Sequence, residues 1–138
     1  MSAKYLIDTD VLLDLINGEE LAIEFLDSIM RADEVAISAV TFAEVYAGIH
    51  ASNDPDRTRA RIEHFFSISE FELVPLTSEP AKRAGLLYGT LAAQGLRTGM
   101  ADLLNAAIAV QYGYAVVTRN IRHYNRVPTL KIVSPSVS

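Results

Sequence analysis

The segment YLIDTDVLLDL, residues 5–15, decides the class of fold. Its short apolar run at residues 5–7 is typical of a buried strand, which ends at Asp8, and a helix is expected to start near Val11. The same order of an apolar strand and a helix returns further along the chain. Short strands that alternate with helices predict an α/β fold, with a mainly parallel central sheet and helices on both faces.

Four more short apolar runs of β type complete the predicted sheet. The run at residues 35–37 ends at Ser38, and the run at 115–117 ends at Thr118. The other two are an edge-like strand at residues 72–74 and a last strand at 131–133. We therefore expect about five strands in one central sheet.

Helices are predicted between these strands, over residues 19–30, 41–50, from 55 onward, 78–95 and 100–112. The last of these has the clearest helical recurrence of apolar residues. Pro55 fits a first helical position with Asn53 or Asp54 as its cap, and Gly113 fits a helix end. The segments between helices and strands are predicted turns within one domain.

Length and composition limit what the protein can be. Its 138 residues suffice for a buried core, and we expect a single domain over residues 1–138. Half of the residues are hydrophobic and 21% are charged, which is a globular mixture. No apolar run is long enough for a membrane span, and Asp8 interrupts the first one too early for a secretion signal. The absence of cysteine excludes a thiolate zinc site and fits a cytoplasmic location.

The charge is distributed unevenly along the chain. Twelve basic and 17 acidic residues give a net charge of −5, which argues against coating nucleic acid through bulk charge. Residues 103–138 contain no acid and carry +4, so residues 1–102 carry −9. The basic residues of this last third are Arg119, Arg122, Arg126 and Lys131. They either offer a local surface to an anion or are simply solvated.

Three acidic residues are predicted to lie at one edge of the sheet. Asp8 follows the first strand, Glu44 lies in the first turn of the helix after the second, and Asp102 lies in the first turn of the helix before the fourth. Ligands of open α/β sheets bind at the carboxyl ends of the strands, where these side chains are expected to meet. Taken singly, each acid also has a structural explanation as a helix cap or dipole partner. Glu44, for example, follows Thr41 at the capping-box spacing.

Taken together, three converging carboxylates indicate a bound cation. Like charges at close range repel, so the group stays ionised only if positive charge is supplied. Mg²⁺ and Mn²⁺ supply it, because hard cations prefer oxygen ligands. A divalent ion in such a site activates water and neutralises charge on a phosphodiester under attack. Nearby basic residues then contact the phosphates beside the cleaved bond.

Four segments resemble one protein family, in order and over nearly the whole chain. They are LIDTDVLLDL at residues 6–15, SAVTFAEVYAGI at 38–49, GMADLLNAAIA at 99–109 and VVTRNIRHYNRV at 116–127. They resemble the PIN-domain ribonucleases, and more closely the VapC toxins of bacterial and archaeal toxin–antitoxin pairs. The resemblance implies a three-layer α/β/α sandwich and a Mg²⁺- or Mn²⁺-dependent endoribonuclease that cuts RNA. It also implies a homodimer silenced by a cognate VapB-type antitoxin, within a larger toxin–antitoxin assembly.

The resemblance assigns roles to individual residues. The acidic positions that hold the metal and carry catalysis match Asp8, Glu44 and Asp102. Thr9 matches the polar residue beside the first acid, and Thr118 and Asn120 match a T-x-N segment that supports the site. Many relatives have a further acid three positions past Asn120, where this chain has His123. That change either weakens a second metal site or turns His123 toward the RNA.

Other polar residues near these segments have weaker assignments. The residues expected to contact the RNA are Arg97, Arg119, Arg122 and His123. Asp10 is expected to cap the first helix or to accept a hydrogen bond at the site. Asp14 is expected to lie on a solvated helix face.

Two alternatives compete with a nuclease. The string Asp8-Thr9-Asp10 after an apolar strand imitates the nucleophile motif of haloacid-dehalogenase-like phosphatases, with Asp10 as acid and base. That motif prefers Thr or Val where Leu12 stands, and it needs late acids for magnesium, whereas no acid follows Asp102. The second alternative is a catalytically silent PIN-like module that binds RNA or protein.

Overall fold

A parallel β-sheet forms the centre of the molecule in a computed structural model that describes residues 3–31 and 34–135. Its strands are β1 (Lys4–Ile7), β2 (Glu34–Ser38), β3 (Glu72–Val74), β4 (Ala115–Val117) and β5 (Lys131–Val133). They lie in the order β3-β2-β1-β4-β5, and each neighbouring pair runs parallel. From β1, the chain adds β2 and β3 on one side of the sheet and then returns to add β4 and β5 on the other side of β1. The crevice beyond the carboxyl ends of β1 and β4 is therefore the expected ligand position.

Helices cover both faces of this sheet. Those in the described residues are α1 (Thr9–Ile16), α2 (Glu20–Ile29), α3 (Ala39–Ala47), α4 (Pro55–Ile68), α5 (Ser78–Ala93), α6 (Met100–Tyr112) and α7 (Ile121–Tyr124). A 3-10 turn at Ile49–Ala51 follows α3. The short connections leave the polar residues after each strand close to the next helix.

Alternation along the strands separates the two halves of the core. Ile7 and Ile37 pack under the layer that contains α1 to α4, whereas Leu6 and Ala36 pack under α6. Successive strand residues point to opposite faces, so both halves need apolar side chains from the same strand. The helix α5 packs on the outside of α6 through a third apolar cluster.

The predicted α/β sandwich with a mainly parallel sheet is confirmed. The strands at residues 72–74, 115–117 and 131–133 have the predicted bounds, and β1 and β2 are slightly longer than predicted. The helix predicted over residues 41–50 is wrong at both ends, because it begins at Ala39 and stops at Ala47. The single turn of α7 is too short to show a helical period and was not predicted.

The predicted domain of residues 1–138 extends beyond the described part of the chain. Residues 1–2, 32–33 and 136–138 lie outside it. None of the helices in the described ranges has both the length and the apolar character to cross a membrane.

The ends of two helices follow the predicted signals. Pro55 occupies the start of α4, and the Asp54 side chain accepts a hydrogen bond from the Arg57 backbone N–H at 3.2 Å. Gly113 ends α6 in the left-handed conformation, with φ at 78°. That conformation costs little only for glycine, because other residues place a Cβ against the backbone.

Replacement of Gly113 by Ala is expected to lower the free energy of unfolding by about 1 kcal/mol, because the left-handed conformation becomes strained. The matched change Gly85→Ala, inside α5, is expected to raise it by about 0.5–1 kcal/mol through helix propensity. A Cβ at either position meets no heavy atom within 4 Å, so neither substitution creates a steric clash that would also change the free energy of unfolding. Urea unfolding followed by circular dichroism measures both, and changes of the same sign would contradict this account.

Candidate active site

Asp8 is a buried carboxylate at the carboxyl end of β1. Its side chain caps α1 by accepting from the Thr9 backbone N–H at 2.9 Å. Three further donors reach it: the Thr118 hydroxyl at 2.8 Å, the Tyr124 hydroxyl at 2.9 Å and the Asn105 amide at 3.3 Å. Only 5% of Asp8 is exposed, so these bonds replace the water that a buried charge would lose. Asp8 therefore caps α1, as its structural explanation predicts, and its other three donors gather around the same carboxylate.

Asp102 lies next to Asp8, in the first turn of α6. Its Oδ1 is 3.4 Å from the Tyr124 hydroxyl, and its Oδ2 is 2.9 Å from Nδ1 of His123. Burial and the negative charge of Asp8 raise the pKa of Asp102 above its ordinary value. The structure therefore brings these two predicted site acids together around one hydroxyl, at a cost to the ionised form of Asp102.

Tyr124 is the donor between these two acids, and it was not predicted as a site residue. The residue is fully buried, with an exposed fraction of 0%. Burial and the charges of Asp8 and Asp102 raise the pKa of Tyr124 beyond its usual range. The phenol therefore stays protonated and donates. Its place beside the T-x-N segment was the available signal in the sequence.

Glu44 reaches the site by a different route from the one predicted. It does not lie in the first turn of α3, because the helix already begins at Ala39. Ser38 caps the helix by accepting from the Thr41 backbone N–H at 3.0 Å, so the capping box of Thr41 and Glu44 is wrong. The Glu44 carboxylate instead accepts from the Thr9 hydroxyl at 2.7 Å. This bond joins α3 to the start of α1.

Asn105 connects Asp8 to the hydroxyls that lead to Glu44, and it too was not predicted from the sequence. Its amide donates to Asp8 and, at 3.0 Å, to the Thr41 hydroxyl, while its carbonyl accepts from Ser38. The Thr41 hydroxyl also lies 3.4 Å from that of Thr9, which binds Glu44. Asn105 is 1% exposed on an otherwise apolar helix face, one turn after Asp102. A lone polar residue within that apolar stripe was the sequence signal.

The two residues of the T-x-N segment have different environments. Thr118 is fully buried, donates to Asp8 and accepts from the Asn120 backbone N–H at 3.0 Å. Thr118 thus holds Asp8 and shapes the turn into α7. Asn120 precedes α7 with an exposed side chain that makes no hydrogen bond among the described residues.

Arg119 is held by an ion pair that contradicts one prediction. Its guanidinium contacts both carboxylate oxygens of Asp14, at 2.8 and 3.3 Å. Asp14 is therefore not on a merely solvated face, and its partner lies 105 positions away in sequence. The ion pair ties α1 to the segment after β4, close to the end of the sheet.

Asp10 lies in the same region and is occupied by backbone donors. Its carboxylate accepts from the Val11 backbone N–H at 2.7 Å and from the Arg119 backbone N–H at 2.9 Å. Burial and the charge of Asp8 raise the pKa of Asp10. The phosphatase alternative needs Asp10 as an acid and base at phosphorus, whereas here one of its oxygens binds the first turn of α1 and the other holds the loop after β4.

The remaining predicted RNA contacts lie on the surface around the acids. Arg97 and Arg122 are exposed, the first in the loop before α6 and the second in α7. His123 has 59% of its side chain exposed and places one ring nitrogen on Asp102. His123 is therefore part of the acid cluster and also open to solvent.

The donor set suits a hard cation in part. Within the described ranges, no three Asp, Glu or His groups stand close enough to hold an ion as positioned. Asp8 and Asp102 are nevertheless paired across one hydroxyl, and Mg²⁺ uses one or two carboxylates and completes its shell with water. Two adjacent acids with oxygen donors fit such an ion, whereas Glu44 connects to them through Thr9.

The chain is similar to known proteins over most of its length. The family model described as PIN domain matches residues 5–129. The Ribonuclease VapC2 of Haemophilus influenzae is 31% identical over 129 residues, covering 93% of this chain and 95% of that protein. The tRNA(fMet)-specific endonuclease VapC of Salmonella typhimurium is 29% identical over 129 residues, covering 94% and 96%.

Solved structures share the fold. VapBC2 from Rickettsia felis, bound to a DNA fragment from its promoter, matches with a TM-score of 0.83 at 25% identity and covers 95% of this chain and 98% of that one. DNA-bound VapBC from Salmonella typhimurium matches with a TM-score of 0.81 at 28% identity and covers 96% and 98%. The described fold is thus similar to these chains over nearly their whole length.

The raised pKa of Asp102 leads to a prediction about stability without metal. Asp102→Asn is expected to raise the melting temperature in EDTA at pH 7 by about 2–4 °C, because it removes a charge that burial and Asp8 oppose. This gain in melting temperature is expected to shrink as the pH falls through the raised pKa of Asp102, because the wild-type carboxyl then becomes neutral like the amide of the variant. Asp14→Asn is the control and is expected to give no gain, because it breaks an ion pair. A lower melting temperature for Asp102→Asn would refute the repulsion.

Proposed function

The chain belongs to the PIN-domain family, and from this premise we propose that it is a metal-dependent endoribonuclease, the toxin of a type II toxin–antitoxin pair. The family match and the ribonuclease relatives confirm the resemblance predicted from the four segments. The single observation that carries the activity is the pairing of Asp8 with Asp102 beyond the end of β1. Two like charges that both lie within 3.4 Å of the same hydroxyl favour a cation, and the position is the ligand crevice of the sheet.

The metal ligands in this proposal are Asp8, Asp102 and Glu44, with Mg²⁺ or Mn²⁺ as the ion. A divalent ion bound there supplies a water of lowered pKa and neutralises charge on the scissile phosphate. From the residues that the structure describes, Oδ1 of Asp8 accepts three hydrogen bonds, whereas Oδ2 accepts one. Oδ2 therefore has the lone pair that remains for an ion.

The polar neighbours of the acids orient them in this proposal. Thr118 fixes Oδ2 of Asp8, and Thr9 fixes Glu44 at its Oε1. Such partners hold a ligand in the geometry that the cation needs. The Asn120 side chain is exposed at the same end of the sheet and makes no hydrogen bond within the described part of the chain, so we expect it to contact a bound water or the RNA.

Arg97 and Arg122 are the proposed contacts for the RNA backbone. Arg97 lines an open cavity of about 830 Å³ that also includes Tyr88 and Met100, the first residue of the helix that carries Asp102. A nucleotide beside the scissile phosphate would enter this cavity, with its phosphate near Arg97. Arg119 contributes less, because Asp14 already neutralises its guanidinium.

A VapB-type antitoxin is the proposed partner, because the matched structures from Rickettsia felis and Salmonella typhimurium are VapBC complexes. The acid pair of Asp8 and Asp102 attracts a basic segment by the same electrostatics that attract a cation. We also propose that the toxin forms a homodimer within a larger assembly with its antitoxin, in the cytoplasm.

Asp8→Asn is expected to reduce RNA cleavage by about a hundredfold or more, because it removes the central carboxylate of the site. The assay uses a mixed RNA pool and antitoxin-free protein, with Mg²⁺ or Mn²⁺ compared with EDTA. Asp27→Asn, on the exposed surface of α2, is the matched control and is expected to cleave like the wild type. Wild-type protein that is folded but inactive with either metal would favour a silent binding module. Cleavage that persists in Asp8→Asn would remove this residue from the mechanism.

Arg97→Ala and Arg122→Ala are each expected to weaken RNA binding with little change in kcat. Each loss of a phosphate contact should also reduce the slope of log affinity against log salt concentration by about 0.7, the value for a single strand. Arg59→Ala is the control, because Arg59 is an exposed residue of α4 whose partner is Glu63. Equal effects from Arg59 would indicate general charge attraction, and no effect from Arg97 or Arg122 would place the RNA elsewhere.

A further inference from the structure

Tyr124 places a buried hydroxyl between two acids of the proposed metal site. The side chain belongs to the apolar core under α6, together with Leu6 and Val116. Only its hydroxyl is polar, and it lies 2.9 Å from Oδ1 of Asp8 and 3.4 Å from Oδ1 of Asp102. A phenylalanine would fill the same core volume, so the hydroxyl is the feature that needs an explanation.

The hydroxyl has a direct electrostatic effect on the two carboxylates. It carries a single proton, which points the positive end of an O–H dipole into the space between two negative groups. This dipole reduces the repulsion between Asp8 and Asp102, and it acts most strongly at Asp8, which is only 5% exposed and so has little contact with water. The bond to Asp8 also fixes the oxygen that faces away from Thr118.

We propose that Tyr124 is a positioning residue of the metal site, whose hydroxyl holds Asp8 and Asp102 in a preorganised pair before the cation binds. The inference rests on the proposed function, because it concerns the same acids. It assigns Tyr124 no contact with the RNA or the ion. Its effect would pass through Asp8, whose Oδ2 keeps a lone pair that a cation would use.

Asn105 supports the same arrangement through a second hydrogen bond to Asp8. Its amide donates to the same Oδ1 that Tyr124 contacts and also to Thr41, which leads to Thr9 and Glu44. The two neutral residues therefore connect all three acids without adding charge. Tyr124 is the residue that contacts both Asp8 and Asp102, and the experiment below removes only these two contacts.

The test is Tyr124→Phe, with Mg²⁺ binding to RNA-free protein measured by isothermal titration calorimetry. We expect about tenfold weaker Mg²⁺ binding, because loss of a hydrogen bond to a metal ligand typically costs this much or more. Tyr114→Phe is the matched control, because Tyr114 is also buried and its hydroxyl binds a carboxylate, that of Glu34, at the opposite end of the sheet. It is expected to bind Mg²⁺ like the wild type. Unchanged Mg²⁺ affinity in Tyr124→Phe would overturn the proposal.

Thermal melting in EDTA provides a second test through a double-mutant cycle. Tyr124→Phe is expected to lower the melting temperature more in the wild type than in the Asp102→Asn background, where one of the two repelling charges is gone. Folding of the double variant when Tyr124→Phe alone does not fold would support the same coupling. An equal loss in both backgrounds, or failure of both to fold, would make Tyr124 a packing residue only.

These measurements also separate this inference from the proposed nuclease function. Mg²⁺ binding and melting are measured without RNA, so they report on Tyr124 even if no RNA is cleaved. Conversely, metal-dependent cleavage that Asp8→Asn abolishes would stand even if Tyr124→Phe bound Mg²⁺ normally.

Discussion

The buried negative charge of Asp8 is the constraint on which the rest of the structure depends. A carboxylate that is 5% exposed is tolerated only if donors replace its water. Its four donors come from four parts of the chain: the start of α1, the middle of α6, the residue after β4 and the end of α7. Satisfying this one charge therefore fixes how these elements meet at the carboxyl edge of the sheet.

The sheet topology makes this meeting possible. Because β4 lies directly beside β1, the Asp8 backbone N–H continues the ladder by donating to Val117 at 2.9 Å. The next residue, Thr118, then stands opposite the Asp8 side chain although 110 positions separate them. The backbone of Thr118 is fixed in turn by its bond to Val133 of β5 at 3.0 Å. Parallel pairing thus converts distant sequence positions into neighbours with little freedom to move apart.

The sequence predicted the elements and the acids better than it predicted the contacts between them. Apolar runs and the rule that parallel strands end at one edge were enough to bring Asp8 and Asp102 together. The position of Glu44 within its helix was wrong because Ser38 and Thr41 both suit a helix cap, and only the backbone shows that the helix starts after Ser38. Asn105 was hidden because one amide hardly changes an apolar helical pattern. Tyr124 was hidden because α7 is a single turn, whose buried face is set by tertiary packing.

Contacts within the structure also show which basic residues of the last third of the chain, residues 103–138, are already paired. Arg119 is paired with Asp14, and Arg126 donates to the Arg97 carbonyl and lies 3.5 Å from the Thr98 hydroxyl, which braces the loop before α6. Lys131 starts β5 and so lies at the amino end of the sheet, away from the acids. Of these four cations, Arg122 is the one left near the site without an assigned partner in the described residues. A polyanion therefore meets few fixed positive charges there, and in the proposed function a cation held by Asp8 and Asp102 would supply much of the attraction that a basic groove otherwise provides.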